Sequence, residues 1–307
     1  MKEELRALGR RLSNWGRWGA EDERGTVNFI TPAKLREAAA CIRRGVVFSL
    51  ALPFGSAGPQ FGQAGRVNPV HLMTSTNNPM SADPDGPRYA DDFIMMPLQC
   101  ATQWDSLAHV HYGGQLYNGH AAATVTANGA ERNGIDKQRA GIVSRGVLLD
   151  VARAQGVERL APGQVITPAD LEAAERRQSS RVDTGDVLLV RTGHMLVFTR
   201  DGDRVTYMKQ MPGLGTACLE WLHARQIAAV ASDTNMVEVY PLEDPQTMVP
   251  VHTVGIRDMG LTLGEMFDLE ALAADCEADG VWECFFTAAP LPITGGVGSP
   301  INPLAIK

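Results

Sequence analysis

The stretch from Cys100 to Gly114, CATQWDSLAHVHYGG, places polar donor side chains at odd positions and mostly small or apolar side chains at even positions. The donors are Gln103, Asp105, His109 and His111. Successive side chains of an extended chain point to opposite faces, so the pattern predicts that these donors share one face. Carboxylate and imidazole groups bind metal ions in proteins. The spacing therefore favours half of a metal site over a solvent-facing strand.

A hydrolytic metal site needs several converging donors and a nearby base. His109 suits either role, because the reference pKa of histidine lies near neutrality. His252, in VPVHTVGIRD, and Glu265, in LTLGEMFD, are candidates for further donors. Each has a structural alternative. Thr262 and Glu265 have the spacing of a helix capping box, and His252, lying among apolar residues, is also typical of a buried core histidine.

Four more side chains are candidates for a pocket around the donors. Trp104 and His111 lie within the same stretch, and His120 and His194 follow in the segments YNGH and RTGH. Ligand pockets combine apolar walls with a few polar groups. The alternatives are a core position for Trp104 and surface loops for the histidines.

Composition narrows the classes of function. The chain has 307 residues, 44% hydrophobic and 21% charged, with a net charge of −7, and no Lys/Arg block that predicts a nucleic-acid partner. We find neither the apolar region of a secretory signal nor an apolar run of ~18 residues, so a cytoplasmic protein without a membrane partner is expected. The five scattered cysteines contain no C-x-x-C pair, so neither disulfides nor a cysteine-ligated zinc site is expected.

Alternating helix and strand signals predict an α/β fold in a single domain, residues 1–307. Thr-Pro pairs at 31–32 and 167–168 are typical of helix N-termini, and further helices are predicted from about residue 216 and over 268–280. Apolar runs predict buried strands at 46–52, 146–151, 186–193, 227–233 and 281–291. Residues 53–89, rich in Gly, Pro, Asn and Ser, predict a long loop region that either covers the polar face or follows the surface.

The segment QCATQWDSLAH resembles the motif H-x-G-T-H-x-D-x-P-x-H of the cyclase-like metal-dependent hydrolases, which include bacterial kynurenine formamidase and isatin hydrolase. Thr102, Asp105 and His109 match, whereas Gln99 and Gln103 stand where histidines are usual. The segments NWGRWGAEDERGTVNFITP, RGVLLDVA, GDVLLVRTG and PLPITGGVGSPINPLAI are similar to a long branch of this family whose members carry T-Q-W-D-S-L-x-H.

The resemblance implies a swivelling β/β/α-type domain, a homodimer or homotetramer, and one divalent metal ion, manganese or zinc. Carried over to this sequence, the metal ligands are Gln103, Asp105, His252 and Glu265, and the acid/base is His109. Asp105 is then both a ligand and a catalytic residue. The oxygen donors in this set favour manganese over zinc.

Three hypotheses of function follow. The first is hydrolysis of a small amide, formamide, lactam or ester, in which metal-activated water attacks the carbonyl and His109 moves the proton. The second is a natural-product cyclase or dehydratase that uses the same metal site. The third is a metal-free scaffold that binds a small-molecule ligand, because glutamines replace two histidines of the motif.

Overall fold

The structure is a computed structural model that describes residues 2–307. Its α-helices are α1 (Glu3–Arg11), α2 (Pro32–Ala39), α3 (Val151–Ala154), α4 (Pro168–Gln178), α5 (Met195–Thr199), α6 (Arg204–Lys209), α7 (Cys218–Arg225), α8 (Pro250–Val254) and α9 (Glu270–Asp279). None of these described helices has the length and apolar composition needed to cross a membrane.

The strands in the described chain are β1 (Val47–Ser49), β2 (Val70–Pro79), β3 (Arg88–Met95), β4 (Gln103–Asp105), β5 (Val125–Thr126), β6 (Gly129–Ala130), β7 (Ile142–Asp150), β8 (Val165–Ile166), β9 (Val187–Arg191), β10 (Gly213–Leu214), β11 (Ala229–Ser232), β12 (Thr262–Glu265), β13 (Glu283–Ala288), β14 (Gly298–Pro300) and β15 (Leu304–Ile306). Nine of them form one mixed sheet in the order β1-β15-β13-β7-β9-β11-β12-β4-β14. The neighbours from β7 to β12 are parallel, and the other pairs are antiparallel.

Both faces of this sheet are covered by apolar side chains. Along β9, Leu188 and Val190 belong to one buried cluster, whereas Val187 and Leu189 belong to the other. Parallel strands that are buried on both faces consist of continuous apolar residues, which explains why the apolar runs located β7, β9 and β11. The run at 281–291 located β13, which is antiparallel to both of its neighbours. The predicted α/β class is confirmed.

The predicted helix N-termini are also present. Thr31 caps α2 by accepting a hydrogen bond from the backbone nitrogen of Lys34 at 3.1 Å. Thr167 forms a capping box with Asp170 at the start of α4. Such caps satisfy backbone donors that have no partner within the first turn.

Two predictions of local structure are wrong. The run 46–52 contains only the short strand β1, which lies at the edge of the sheet, with Val47 56% exposed rather than buried. The region 53–89 is not a continuous loop, because β2 pairs with β3 in a long antiparallel hairpin. Residues 53–69, before this hairpin, contribute side chains to the cavity described below.

Candidate metal centre

Two neighbouring strands bring three of the predicted donors together. β4 and β12 pair antiparallel, with Gln103 opposite Glu265. Side chains directly opposite each other lie on the same face, and Asp105 follows two residues along β4 on that face. Nε2 of Gln103 donates to Oε2 of Glu265 at 2.8 Å and lies 3.3 Å from Oδ1 of Asp105. The predicted alternation of side chains therefore holds within β4.

Glu265 lies at the end of a strand and not in the first turn of a helix. Thr262 and Glu265 both belong to β12, so the capping-box interpretation of their spacing is wrong. The hydroxyl of Thr262 instead accepts a hydrogen bond from Nε2 of Gln138 at 2.8 Å. The carboxylate of Glu265 is therefore available to the site.

The opposite face of β4 packs in the core. Trp104 is fully buried, with its ring centroid 5.3 Å from that of Phe267, and its Nε1 donates to the carbonyl of Ala288 at 3.0 Å. A Cβ on Gly264 would lie 2.4 Å from the indole of Trp104, so this close approach of the strands requires glycine. Trp104 thus lies outside the pocket predicted for it.

His252, on α8, faces both carboxylates. Its Nε2 lies 3.0 Å from Oε1 of Glu265 and 3.6 Å from Oδ2 of Asp105, and the residue is 5% exposed. The helix brings this histidine to the donors of β4 and β12 although it is more than one hundred residues from β4 in sequence. Both interpretations of the sequence therefore describe His252, since it is a buried histidine and also lies among the donors.

Glu238 holds the imidazole of His252 from the other side. Its Oε1 is hydrogen-bonded to Nδ1 of His252, and its Oε2 accepts from the backbone nitrogen of Val251 at 2.8 Å. Such outer partners fix the orientation of a metal-binding histidine and increase its basicity. The sequence reasoning missed Glu238. The available signal was a carboxylate between two valines in MVEVY, which is unusual unless the charge is paired.

Burial and neighbouring charges separate the pKa values of the two carboxyl groups. Burial, reinforced by the charge of Asp105, raises the pKa of Glu265 to about 7. Burial acts in the same direction on Asp105, but the positive charges of His109 and His252 outweigh it and lower the pKa of Asp105. Burial would lower the pKa of His252, whereas the charge of Glu238 and the hydrogen bonds to the carboxylates raise it well above its ordinary value. The cluster therefore binds protons at positions from which a metal ion would displace them.

His109 reaches the cluster through a turn. The extended chain ends with β4, and the backbone nitrogen of His109 donates to the carbonyl of Ser106 at 3.1 Å. Its Nε2 lies 3.8 Å from Oδ1 of Asp105. Burial lowers the pKa of His109, so the neutral imidazole predominates at pH 7. The prediction of one extended face as far as His111 is wrong, but His109 still lies beside Asp105.

The donor set fits a divalent cation. Ligand atoms of Asp105, His252 and Glu265 all lie within 4.8 Å of one another. Within the described chain, Oδ2 of Asp105 and Oε1 of Gln103 are buried without a hydrogen-bond partner. A buried anionic oxygen without a partner carries a large desolvation cost, which a bound cation offsets. Gln103 presents its amide nitrogen to the carboxylates, and exchanging the amide oxygen and nitrogen would present an oxygen as a fourth donor.

The remaining predicted pocket residues lie elsewhere. His111 is exposed, and His120 is half-buried in the loop after β4. His194 is completely buried and its Nε2 is hydrogen-bonded to the carbonyl of Tyr207 at 3.1 Å. None of the three, nor Trp104, is among the described residues that line the cavity next to the donors.

A cavity of about 210 Å³ opens onto the donor cluster. Larger cavities of about 400 and 430 Å³ occur elsewhere, but the donors Asp105, His252 and Glu265 do not meet there. The lining of the smaller cavity combines site residues, apolar side chains and a polar loop: His109, His252, Glu265, Val110, Met208, Met236, Val249, Ala64, Gln60, Gln63, Arg66 and Asn235. Its volume lies below the roughly 300–1,000 Å³ of pockets for drug-sized ligands, so it suits a smaller molecule.

The chain belongs to the Cyclase family, whose model matches residues 29–239. A protein whose structure is described as a novel cyclase is 40% identical, with a TM-score of 0.88 over 96% of this chain and 99% of that chain. These matches confirm the resemblance inferred from the sequence. No curated protein is a significant match.

More distant structures share the fold. Isatin hydrolase A from Ralstonia solanacearum is 21% identical, with a TM-score of 0.64 over 90% of this chain and 98% of that chain. A protein from Bacillus stearothermophilus described as a predicted metal-dependent hydrolase is 16% identical, with a TM-score of 0.55 over 86% of this chain and 98% of that chain. At these identities the likeness extends to the fold alone.

Proposed function

We propose that this protein is a metal-dependent hydrolase of a small amide, formamide, lactam or ester. The observation that carries the proposal is the convergence of Asp105, His252 and Glu265 within 4.8 Å of one another, at a cavity that also contains His109. Hydrolytic sites need such a donor set with a base beside it. The names of the isatin hydrolase and the metal-dependent hydrolase with the same fold are consistent with this class of reaction.

The residues would hold one divalent ion, manganese or zinc, through Asp105, His252 and Glu265, with Gln103 as an additional oxygen donor. When bound, such an ion lowers the pKa of a water molecule and polarises a carbonyl group. The excess of oxygen donors favours manganese.

His109 is the acid/base in this mechanism. Its neutral imidazole lies beside Asp105 and opens to the cavity, so it can accept a proton from water and return it to the leaving nitrogen or oxygen. The negative charge of Asp105 stabilises the imidazolium that forms in between. Glu238 maintains the orientation of His252 throughout.

The test compares His109→Ala with His111→Ala, a histidine two positions away that is exposed and outside the cavity. Loss of general acid–base catalysis lowers turnover about 10²- to 10⁴-fold, so His109→Ala should lose this much activity while retaining metal, and His111→Ala should match the parent. Equal activity of the two variants would contradict the proposal. Loss of metal together with activity would show that His109 is a ligand instead.

A ring-closing or dehydrating reaction is the second candidate, because the 40% identical relative is described as a cyclase. The same donors and His109 would then act on a substrate that gains no water. Mass spectrometry distinguishes the two, since hydrolysis in ¹⁸O-labelled water adds one labelled oxygen to the product. Products that lose water or retain every substrate atom support the cyclase or dehydratase.

We also propose a cytoplasmic homodimer or homotetramer whose partner is a small-molecule substrate, without nucleic acid or membrane. All five cysteines are free, and four of them are buried, which suits a reducing compartment. The exposed apolar hairpin β2–β3 is the surface that we assign to association of two copies, since an isolated two-stranded hairpin has little stability in water.

A further inference from the structure

The cavity at the metal centre has three chemically different walls. One carries the donors and His109. Val110, Met208, Met236 and Val249 form an apolar wall. The third comes from residues 60–66, where Gln60, Gln63 and Arg66 face the cavity and Arg66 is the sole arginine or lysine of the described lining. We infer that Arg66 binds a carboxylate of the substrate, so that the chain selects anionic substrates. This inference rests on the proposed function and deepens it.

The side chain of Arg66 has no partner within the described part of the chain. None of the ion pairs or side-chain hydrogen bonds among residues 2–307 includes its guanidinium group, although most other arginines of the chain have an acidic partner. The residue is half-buried. Its side chain lines the same cavity as His109, His252 and Glu265. A guanidinium group at a cavity without a counter-ion is a ready site for an anion.

The loop that carries Arg66 is held in place. Gly62, Ala64 and Gly65 have positive φ angles of 93°, 53° and 74°, and the backbone of Gly62 donates to the carbonyl of Arg66 at 3.1 Å. Nε2 of the buried Gln60 donates to the carbonyl of Cys100 at 3.0 Å, which ties the loop to the segment just before β4. The backbone that carries Arg66 is therefore anchored, and binding need not order the loop first.

Charge balance singles out Arg66 as the cation for an anionic substrate. A divalent ion bound at Asp105 and Glu265 would balance their two carboxylates, which leaves Arg66, the sole arginine or lysine of the described lining, free to pair with a substrate anion. A planar guanidinium group matches a carboxylate through two parallel hydrogen bonds. Two buried acceptors next to the same cavity, Oε1 of Gln60 and Oδ1 of Asn235, have no partner among the described residues. They fit the N–H of an amide, so the class of substrate is a small carboxylated amide or lactam.

The binding test uses benzoate and its neutral counterpart benzamide. Each is titrated calorimetrically into the 307-residue protein, both metal-loaded and chelator-treated. The parent should bind benzoate at least tenfold more tightly than benzamide. Arg66→Gln should lose about 10- to 100-fold of benzoate affinity, the usual contribution of a charged hydrogen bond, with benzamide unchanged. Arg66→Lys should retain part of the benzoate affinity. Arg36→Gln, which changes an exposed arginine of α2, should match the parent.

The kinetic test compares N-formylglycine with N-formylglycinamide. Arg66→Gln should raise the KM for the acid about 10- to 100-fold with little change in kcat, and should leave the amide unaffected. An unaltered unfolding midpoint, expected because Arg66 makes no internal side-chain bond, shows that the variant is folded.

Two results would overturn the inference: equal affinity of the parent for benzoate and benzamide, or unchanged benzoate affinity in Arg66→Gln. Turnover of neutral amides together with either result leaves the hydrolase proposal standing while the role of Arg66 fails. Benzoate binding that depends on Arg66, without turnover of any amide, formamide, lactam or ester, supports the anion site and contradicts the hydrolase proposal.

Discussion

Replacing Glu238 by glutamine tests how the site holds its histidine. Glu238 is 1% exposed, and its carboxylate is hydrogen-bonded to three nitrogen atoms. Its oxygens accept from the backbone nitrogens of Val251 and His252 at 2.8 and 3.3 Å, and from Nδ1 of His252. Glutamine keeps the shape but replaces one acceptor oxygen by a donor nitrogen. At least one buried donor must then face another donor.

The expected magnitudes follow from that mismatch. A buried donor without an acceptor costs about 1–3 kcal/mol, so the free energy of unfolding of Glu238→Gln should fall by this amount. Loss of an outer partner of a metal-binding histidine typically weakens metal binding 10- to 100-fold, equivalent to about 1.4–2.8 kcal/mol. The pKa of His252 should also fall, because the charge of Glu238 contributes to its elevation.

Calorimetric titration with manganese and zinc measures the metal affinity, and urea unfolding of the metal-free proteins measures the free energy of unfolding. Glu220→Gln is the matched control, since the side chain of Glu220 is 56% exposed and forms an ion pair with Arg11 at the surface. It should change neither quantity by more than a few tenths of a kcal/mol. Metal affinity in Glu238→Gln equal to that of the parent would refute the role of Glu238 in orienting a ligand.

Two further predictions concern stability and assembly. Burial lowers the pKa of His194 to about 4, below its value of about 6.5 in the unfolded chain, so its contribution to stability is complete above pH 6.5 and is lost as the pH falls toward 4. Between pH 7 and pH 4, the free energy of unfolding measured with urea should therefore fall by about 3 kcal/mol less for His194→Phe than for the parent. Equal decreases in the two proteins would contradict this assignment. Leu72 and Phe93, cross-strand neighbours on the hairpin, are 52% and 47% exposed, and changing both to serine should reduce the mass measured by light scattering to that of one chain. A parent that is already monomeric, or a variant that remains oligomeric, would exclude the hairpin as the interface.

Short patterns in the sequence predicted the helix N-termini and most of the buried strands. Thr31 and Thr167 cap their helices because a cap involves only the next three residues. The buried strands were found because their apolar runs reflect burial on both faces of the sheet. β2 was missed because its sequence, VHLMTSTNNP, contains the Asn and Pro residues of a loop and lies exposed outside the main sheet. Its partner β3 supplies the pairing that the segment lacks by itself.

The metal centre was harder to predict, because contacts between segments distant in sequence form it. The spacing from Thr262 to Glu265 fits a capping box as well as a strand, and only pairing with β4 decides between them. The alternation predicted that Gln103 and Asp105 share a face, but it could not reveal the turn that follows and brings His109 back. Glu238 and Arg66 reach the site from segments with no recognisable motif. Glu238 acts through a buried hydrogen bond to His252, and Arg66 acts through the cavity that it lines. Both depend on residues that are distant in sequence.

The central claim is that Asp105 and its neighbours hold a metal ion, and elemental analysis tests it most directly. The parent, Asp105→Asn and the exposed control Asp91→Asn are each dialysed against manganese and zinc and then against metal-free buffer. Near-stoichiometric metal in the parent and in Asp91→Asn, with little in Asp105→Asn, is the predicted result. No metal in the parent, or equal metal in all three proteins, would contradict the account, and absence of metal would favour a ligand-binding scaffold.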